Sequence, residues 1–328
     1  MKRLWLVVSV LAVCLFQPGA ARAQSSPTFT YGKPDETKVD PTKPPPPAVE
    51  WKAQVKGGLM LTSGNSQTTN GTFAVSASRR QGNNKLAIDA GAAYGRSDII
   101  NPVYSTDPNN ATEIDSLERT SITTTNSWQA RGRYDRFFTA NNSGYASAQA
   151  AADKIAGKSF LGGGQIGYSR QLYKSAMHTF VAEIGYDFGY EQYVQSPAPS
   201  PTLDPVSIHS ARLFLGETWK VTSETGVTAS AETYLNLNKE AKALNVSTQM
   251  PGVDAFHDTR VIGKLGLTTT VMKRLSVAFG FTLRYDQNPA PLPIPSGAMP
   301  GAFFKSGFVP FAEKVDTLTE VSLIYTFL

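Results

Sequence analysis

The sequence predicts an all-β fold: a closed antiparallel transmembrane β-barrel of about twelve strands, with short periplasmic turns and long extracellular loops. Three observations carry this reading. Segments of about ten to fourteen residues alternate apolar and polar side chains, no run shows helical spacing, and short connections alternate with long ones. A period of two means that one face of the sheet meets an apolar medium and the other a polar one. Charged residues make up 17% of the chain, below the roughly 25% of soluble domains.

The chain opens on a leader. Lys2 and Arg3 precede an apolar run from Leu4 to Phe16, and Ala21-Arg22-Ala23 follows as a small-residue cleavage site. This is the pattern of a secretory signal peptide over residues 1–23; a membrane-spanning helix needs about twenty apolar residues. Cys14, the only cysteine, leaves with the leader, so the exported chain is expected to lack thiols, disulfides and cysteine-bound metal. Losing Lys2, Arg3 and Arg22 brings 31 basic residues to 28 against 26 acids, and the formal charge from +5 to +2. That balance gives no footprint for nucleic acid. Residues 24–50, rich in Pro, Lys and Asp with Pro44 to Pro47 in a row, have little to bury and are expected to form a disordered periplasmic tether.

Residues 51–328 form the barrel. In the first strand (51–62), Trp51, Ala53, Val55, Gly57, Leu59 and Leu61 oppose Lys52, Gln54, Lys56, Gly58, Met60 and Thr62. Strands follow near 69–80, 84–96, 120–134, 143–153 and 159–170, of which 143–153 is poorly patterned. In the seventh (178–192), Phe180, Ala182, Ile184, Tyr186, Phe188 and Tyr190 oppose Glu183, Asp187 and Glu191. The eighth (207–220) gives no clear face. The ninth (226–238) sets Val227, Ala229, Ala231, Leu235 and Leu237 against Thr228, Ser230, Glu232, Asn236 and Asn238. The tenth spans 257–271. The eleventh (274–287) sets Leu275, Val277, Phe279, Phe281, Leu283 and Tyr285 against Ser276, Thr282, Arg284 and Asp286. The twelfth (314–328) ends with Thr319, Val321, Leu323, Tyr325 and Phe327 on one face. Such a strand closes the barrel against the first and offers outer-membrane assembly machinery a recognition signal.

The connections decide between barrel and sandwich. Gln81–Asn83, Thr139–Asn142, Leu172–Ala176, Thr222–Thr225 and Lys273–Arg274 are short, while those near 97–119, 193–206, 239–256 and 288–313 are long. Long and short connections at opposite ends are the pattern of outer-membrane barrels. The expected surroundings are therefore the lipid and lipopolysaccharide of a Gram-negative outer membrane, with the chain a monomer.

By parity, Lys52, Lys56, Arg131, Arg133, Arg260, Lys264 and Arg284 line the lumen with Asp89, Glu183, Asp187, Glu191, Glu232, Asp286, Asp316 and Glu320. They read either as a salt-bridged interior or as a polar conduit. The last long loop carries six prolines between Pro289 and Pro310, yet Phe303, Phe304, Phe308 and Phe311 make it apolar. Such a patch must bury against something, and a lid over the mouth is the expectation.

Other motifs carry less. Gly162, Gly164 and Gly167 satisfy a dinucleotide-binding spacing, and Gly157-Lys158-Ser159 imitates the end of a P-loop. The first falls within an alternating strand rather than between a strand and a helix, and in the second Ala152 stands where a P-loop needs its upstream glycine. Ser207 and His209 share a face, but no residue is evident to orient the imidazole, so no enzyme is expected. His178 and His257 sit near strand ends. Asp107, Glu113, Asp115 and Glu118 lack calcium-loop spacing, so no metal or other cofactor is expected.

Several stretches resemble the salt-stress-induced outer-membrane protein family, whose shared domain is domain of unknown function 481. "GGLMLTSGNSQTTNGTFAVSASR", with Gly64-Asn65-Ser66 in the turn, resembles that family's first hairpin. "RGRYDRFFTANNSGYASAQAAADKIAGKSFLGGGQIGYSRQL" resembles its middle, and the closing strand its end. The resemblance covers about residues 51–328 and implies a barrel and an outer-membrane address, but no reaction. The functional expectation is a narrow channel for small polar solutes. The alternative is a non-transporting structural or adhesive barrel acting through its long loops, and third comes a barrel lipid hydrolase.

Overall fold

In lipid every backbone N–H and C=O needs a partner within the chain, and a sheet provides this only by closing on itself. The computed structural model describes residues 49–62, 67–104, 114–198, 200, 202–240, 252–294, 302–303 and 310–327. The strands are β1 (Val49–Thr62), β2 (Gln67–Gln81), β3 (Asn84–Tyr104), β4 (Ile114–Phe137), β5 (Asn142–Asp153) and β6 (Lys158–Lys174). They continue with β7 (His178–Tyr193), β8 (Val206–Lys220), β9 (Thr225–Asn236), β10 (Thr259–Met272), β11 (Leu275–Asp286) and β12 (Val315–Thr326). Each pairs antiparallel with its chain neighbours, and β1 pairs with β12 from Gln54↔Thr326 to Gly57↔Leu323, so the barrel is closed.

The turn chemistry explains the tight end. β2 and β3 are joined by Gly82-Asn83, with Gly82 at φ 54°, a left-handed conformation that glycine adopts without steric cost. Lys273-Arg274 joins β10 to β11, and Arg274 itself takes φ 75°.

The two faces are inverted relative to a soluble protein. Outward side chains are apolar and exposed, among them Leu59 (71%), Ile184 (64%) and Val321 (65%). The largest fully buried side chains are polar: Arg133, Arg212, Gln165, Glu183, Asn236 and Ser210. Among the described residues no helix is long and apolar enough to cross a membrane; the strands cross it instead. The apolar outer band and polar interior of this closed sheet are those of a transmembrane barrel.

One expected loop is corrected. The connection read at 97–119 is mostly ladder, because β3 and β4 stay paired to Tyr104↔Ile114 with bulges at Gly95/Arg96 and Val103/Tyr104. Backbone pairing needs no alternation of side chains, so the ladder extends past the patterned part of the strands. Asp115 and Glu118 accordingly belong to β4; Asp107 and Glu113 lie outside the described residues. The leader and nearly all of the tether also lie outside them, and β1 already includes Val49 and Glu50. Gly162, Gly164 and Gly167 lie within β6, so the dinucleotide spacing has no helix to serve.

The connection after β11 crosses the mouth of the barrel at the end opposite the tight turns. Leu292 N–H donates to Pro310 O (2.8 Å) and Ala312 N–H to Ala290 O (2.9 Å), making a clasp. Ala290 is buried with Tyr193, Leu203, Val206 and Ile208. Further along, Ile294 N–H donates to Ser196 Oγ at 3.4 Å. The turn after β5 touches the same strap: a Cβ at Gly157 (φ 78°) would overlap the Pro291 carbonyl and lie 3.3 Å from Pro293 Cδ. In a ring of twelve strands the β5–β6 and β11–β12 connections face each other. Residues 290–294 are therefore a strap from wall to wall.

Candidate functional site

The interior side chains come from rows of register partners. One such row runs Tyr145, Gly167, Gly185, Arg212, Tyr234, Arg260, Asp286 across β5 to β11. The two glycines leave a groove in the inner wall, and Tyr145 lies in it. A Cβ on either Gly167 or Gly185 would come within 2.6 Å of the Tyr145 hydroxyl. That hydroxyl accepts a bond from Arg212 Nη1 at 2.7 Å, and the Arg133 guanidinium stacks 4.1 Å from the ring centre.

Around this groove the charges alternate. Arg133 holds Asp135 (2.7 Å) and Glu183 (2.7 and 3.1 Å). Arg212 binds the second oxygen of Glu183 at 2.8 Å and reaches Glu232 on β9. Arg131 donates to Gln165 at 2.8 Å, whose amide donates to Asp187 (2.8 Å) and Tyr234 (3.2 Å). Above them Glu191 accepts Lys158 (3.1 Å) and faces Arg260 (3.6 Å), which also donates to Ser210 at 3.2 Å. One half of the wall, β4 to β9, is thus a buried polar lattice. Burial of ions is tolerated only where each is paired and hydrogen-bonded.

The opposite wall is built differently. Lys56 pairs with Glu320 at 2.7 Å, and Lys56 is 32% exposed. Thr72 Oγ1 also donates to Glu320. Small inner residues flank them, Gly58, Ala74, Ser76, Gly91, Ala278, Gly280 and Ser322, together with Ile324, the partner of Lys56 on β12. Lys52, near the end with the tight turns, pairs with Glu50 (3.0 Å) and is largely in water. Asp89 opposes Arg131, Arg284 opposes Asp316, and Asp286 opposes Arg260 across their ladders. Lys264 lies within electrostatic range of Glu232 and Asp89 from opposite sides of the barrel. Of the residues chosen by parity, Asp89, Arg133, Glu183, Asp187, Glu191 and Glu232 are buried.

Parity did not pick Asp135, Tyr145, Lys158, Gln165, Ser210, Arg212 and Tyr234 as lattice members. Tyr145 sits in an Ala- and Ser-rich strand with no pattern, and Arg212 in a strand whose inner face also carries Val206, Ile208 and Phe214. Of the expected lid aromatics, Phe303 and Phe311 are exposed, and Phe304 and Phe308 lie outside the described residues. Among the described residues the docking runs through Ala290 and Pro291. Ser207 and His209 face outward; the His209 ring meets the Tyr186 hydroxyl and packs on Phe188. His178 stacks on Trp219 and meets Glu217 at 3.0 Å. At the mouth, burial, reinforced by the neighbouring Asp258 carboxylate, pushes the Glu240 carboxyl up to about 7.

Fold and interior define a class, a closed twelve-stranded transmembrane β-barrel. The chain belongs to the family described as "Protein of unknown function, DUF481", whose model matches residues 55–327. No curated protein matches it. Similar solved structures include the translocator domain of autotransporter NalP from Neisseria meningitidis (12% identity, TM-score 0.39, 88% of this chain and 91% of that one). The transport unit of the autotransporter AIDA-I from Escherichia coli gives 11% identity and TM-score 0.39, covering 88% and 92%. OmpT of Vibrio cholerae gives 10% identity and TM-score 0.35, covering 85% and 97%.

Proposed function

We propose that the protein is a Gram-negative outer-membrane barrel that passes small polar solutes along a narrow conduit. The conduit follows the wall of β1–β3 and β10–β12, and the strap 290–294 closes its external mouth. The observation that carries this reading is the contrast between the two walls. The β4–β9 side is locked by buried ion pairs, while around β1 and β12 a solvent-reaching Lys56–Glu320 pair stands among mostly small side chains. Twelve strands enclose more than an eight-stranded barrel, whose interior side chains fill, and less than a porin. No reaction is part of this reading.

Planar-bilayer recording tests it. The intact protein should conduct weakly, and deletion of Pro289 to Pro310 should raise the conductance without loss of folding. Silence from both proteins at every voltage rejects the conduit; equal conductance rejects the lid. A second reading, a non-transporting barrel of structural or adhesive role, draws support from the Arg133–Glu183–Arg212 lattice, which stiffens and fills one wall.

A further inference from the structure

The connection between β9 and β10 carries a group that the interior lattice does not use. Glu240 is placed by its backbone bridge to Val253, with bonds of 2.8 and 3.1 Å. Asn236, the last residue of β9 and 1% exposed, clamps the same segment. Its amide donates to Asn238 O and Asp254 O at 3.0 Å each, and its oxygen accepts the Asp258 N–H at 2.8 Å. The Glu240 side chain is thereby held at the mouth, 5% exposed. Its Oε1 is shut away from solvent and, among the described residues, has no hydrogen-bond partner. A buried carboxylate oxygen without a donor is costly, and native proteins rarely leave one so.

The surrounding charges say what is missing. The strongest fields on Glu240 come from Asp258 before β10, Arg260 on β10, Glu191 on β7 and Asp286 on β11. Lys158 joins this group through Glu191 and Asp286. Four carboxylates thus meet two cations. Both cations are centred on Glu191, which accepts Lys158 at 3.1 Å and faces Arg260 at 3.6 Å. Arg260 reaches Asp258 only at 3.9 Å. Asn288 donates to Asp258 Oδ1 (3.0 Å) and to Asp286 Oδ1 (3.1 Å), but it carries no charge. Among the described residues no three acids converge as metal ligands. An ammonium group fits better, because it brings one positive charge and three N–H donors that spread to separate oxygens.

We propose that Glu240, with Asp258 and Asp286, is a binding site for a small primary-ammonium cation at the strap end of the lumen. The cation supplies the donor that Glu240 lacks and offsets the acidic excess. Asp286, only half-buried, is the side from which it enters. Under the conduit reading the site selects among solutes at this mouth, but binding itself does not require conduction.

Titration calorimetry on the folded full chain in non-ionic detergent, at fixed ionic strength, tests it with ethylammonium, putrescine and calcium as probes. Saturable binding of either amine supports the site. Affinity should rise about tenfold from about pH 5.5 to about pH 8, because the cation displaces the proton that Glu240 holds below about 7. Glu240→Gln should weaken binding about tenfold and flatten that rise, whereas Glu240→Asp should keep the rise. Asp254→Asn, in the same connection but 69% exposed and paired with Lys239, should change neither. If Glu240→Gln does not fold, the wild-type pH profile and Glu240→Asp carry the test. The proposal is overturned if the wild type binds neither amine, or if its affinity ignores pH. It is equally overturned if folded Glu240→Gln binds as the wild type does, or if calcium binds more tightly than both amines. Bilayer conductance of the same proteins keeps this outcome separate from that of the conduit.

Discussion

Glu183→Gln is the sharpest probe of the interior lattice. The Glu183 side chain accepts bonds of 2.7 and 3.1 Å from Arg133 and 2.8 Å from Arg212, and none of the three residues is more than 2% exposed. The substitution keeps the shape but removes the one charge shared by two buried guanidiniums. Breaking a buried pair from one side costs about 3–5 kcal/mol, against about 0–1 kcal/mol for a solvent-reaching pair such as Lys56–Glu320. With a urea slope of about 3 kcal/mol per molar, the unfolding midpoint should fall by roughly 1–1.7 M. Tryptophan fluorescence of the barrel refolded into lipid vesicles reads it, since Trp51, Trp128 and Trp219 all lie on the outer face. Lys56→Gln is the control and should move the midpoint far less. Equal midpoints for wild type and Glu183→Gln would refute the claim that the lattice carries stability. So would additive losses for Glu183→Gln and Arg133→Gln, because partners in one network must couple.

Gly185→Ala should cost about 1–3 kcal/mol by overpacking, since its Cβ would lie 2.6 Å from the Tyr145 hydroxyl and 2.5 Å from the Ile166 carbonyl. Tyr145→Phe in the same background should relieve part of that loss, and a full loss in both would refute the groove. Leu59→Arg or Phe281→Arg should cost about 2–4 kcal/mol near the bilayer midplane, and unfolding midpoints equal to that of Lys56→Gln would contradict the inside–outside register. Glu240 gives a pH test. Its folded pKa, about 7, lies above the ordinary carboxylate value, so its stabilising effect is full below about 4.5 and is lost as pH rises through 7. Hydrogen-exchange protection of the paired Glu240 and Val253 amides should fall across that window, and Glu240→Gln should flatten the dependence.

Legibility in the sequence followed the solvent. Where lipid bounds one face and lattice the other, as in β7 and β11, alternation between Phe180–Tyr190 and Glu183–Glu191 exposes strand, face and register at once. β8 hides its face because Val206 and Ile208 turn inward to meet the strap, giving apolar residues on both sides of the strand. The β3–β4 extension hides its ladder because its residues show no apolar/polar alternation, while backbone pairing needs none. Parity found charges, since a charge on the lipid face is costly, but it could not find their partners. Arg133 reaches Glu183 past two intervening strands, and that neighbourhood exists only once the sheet has curved shut. Tyr145 needed more still: its place depends on two glycines that carry no side chain to announce it.

The strap has a mechanical consequence. An unbraced ring of strands is a hoop, and a hoop under sideways load ovalises easily, because shortening one diameter only lengthens another. Residues 290–294 run as a chord from the β11–β12 side to the Gly157 turn and Ser196 opposite, anchored by the buried Ala290. A chord fixes one diameter, so lateral pressure from the membrane is taken up at the rim as compression along the strap. The end of the barrel opposite the tight turns is braced in this way.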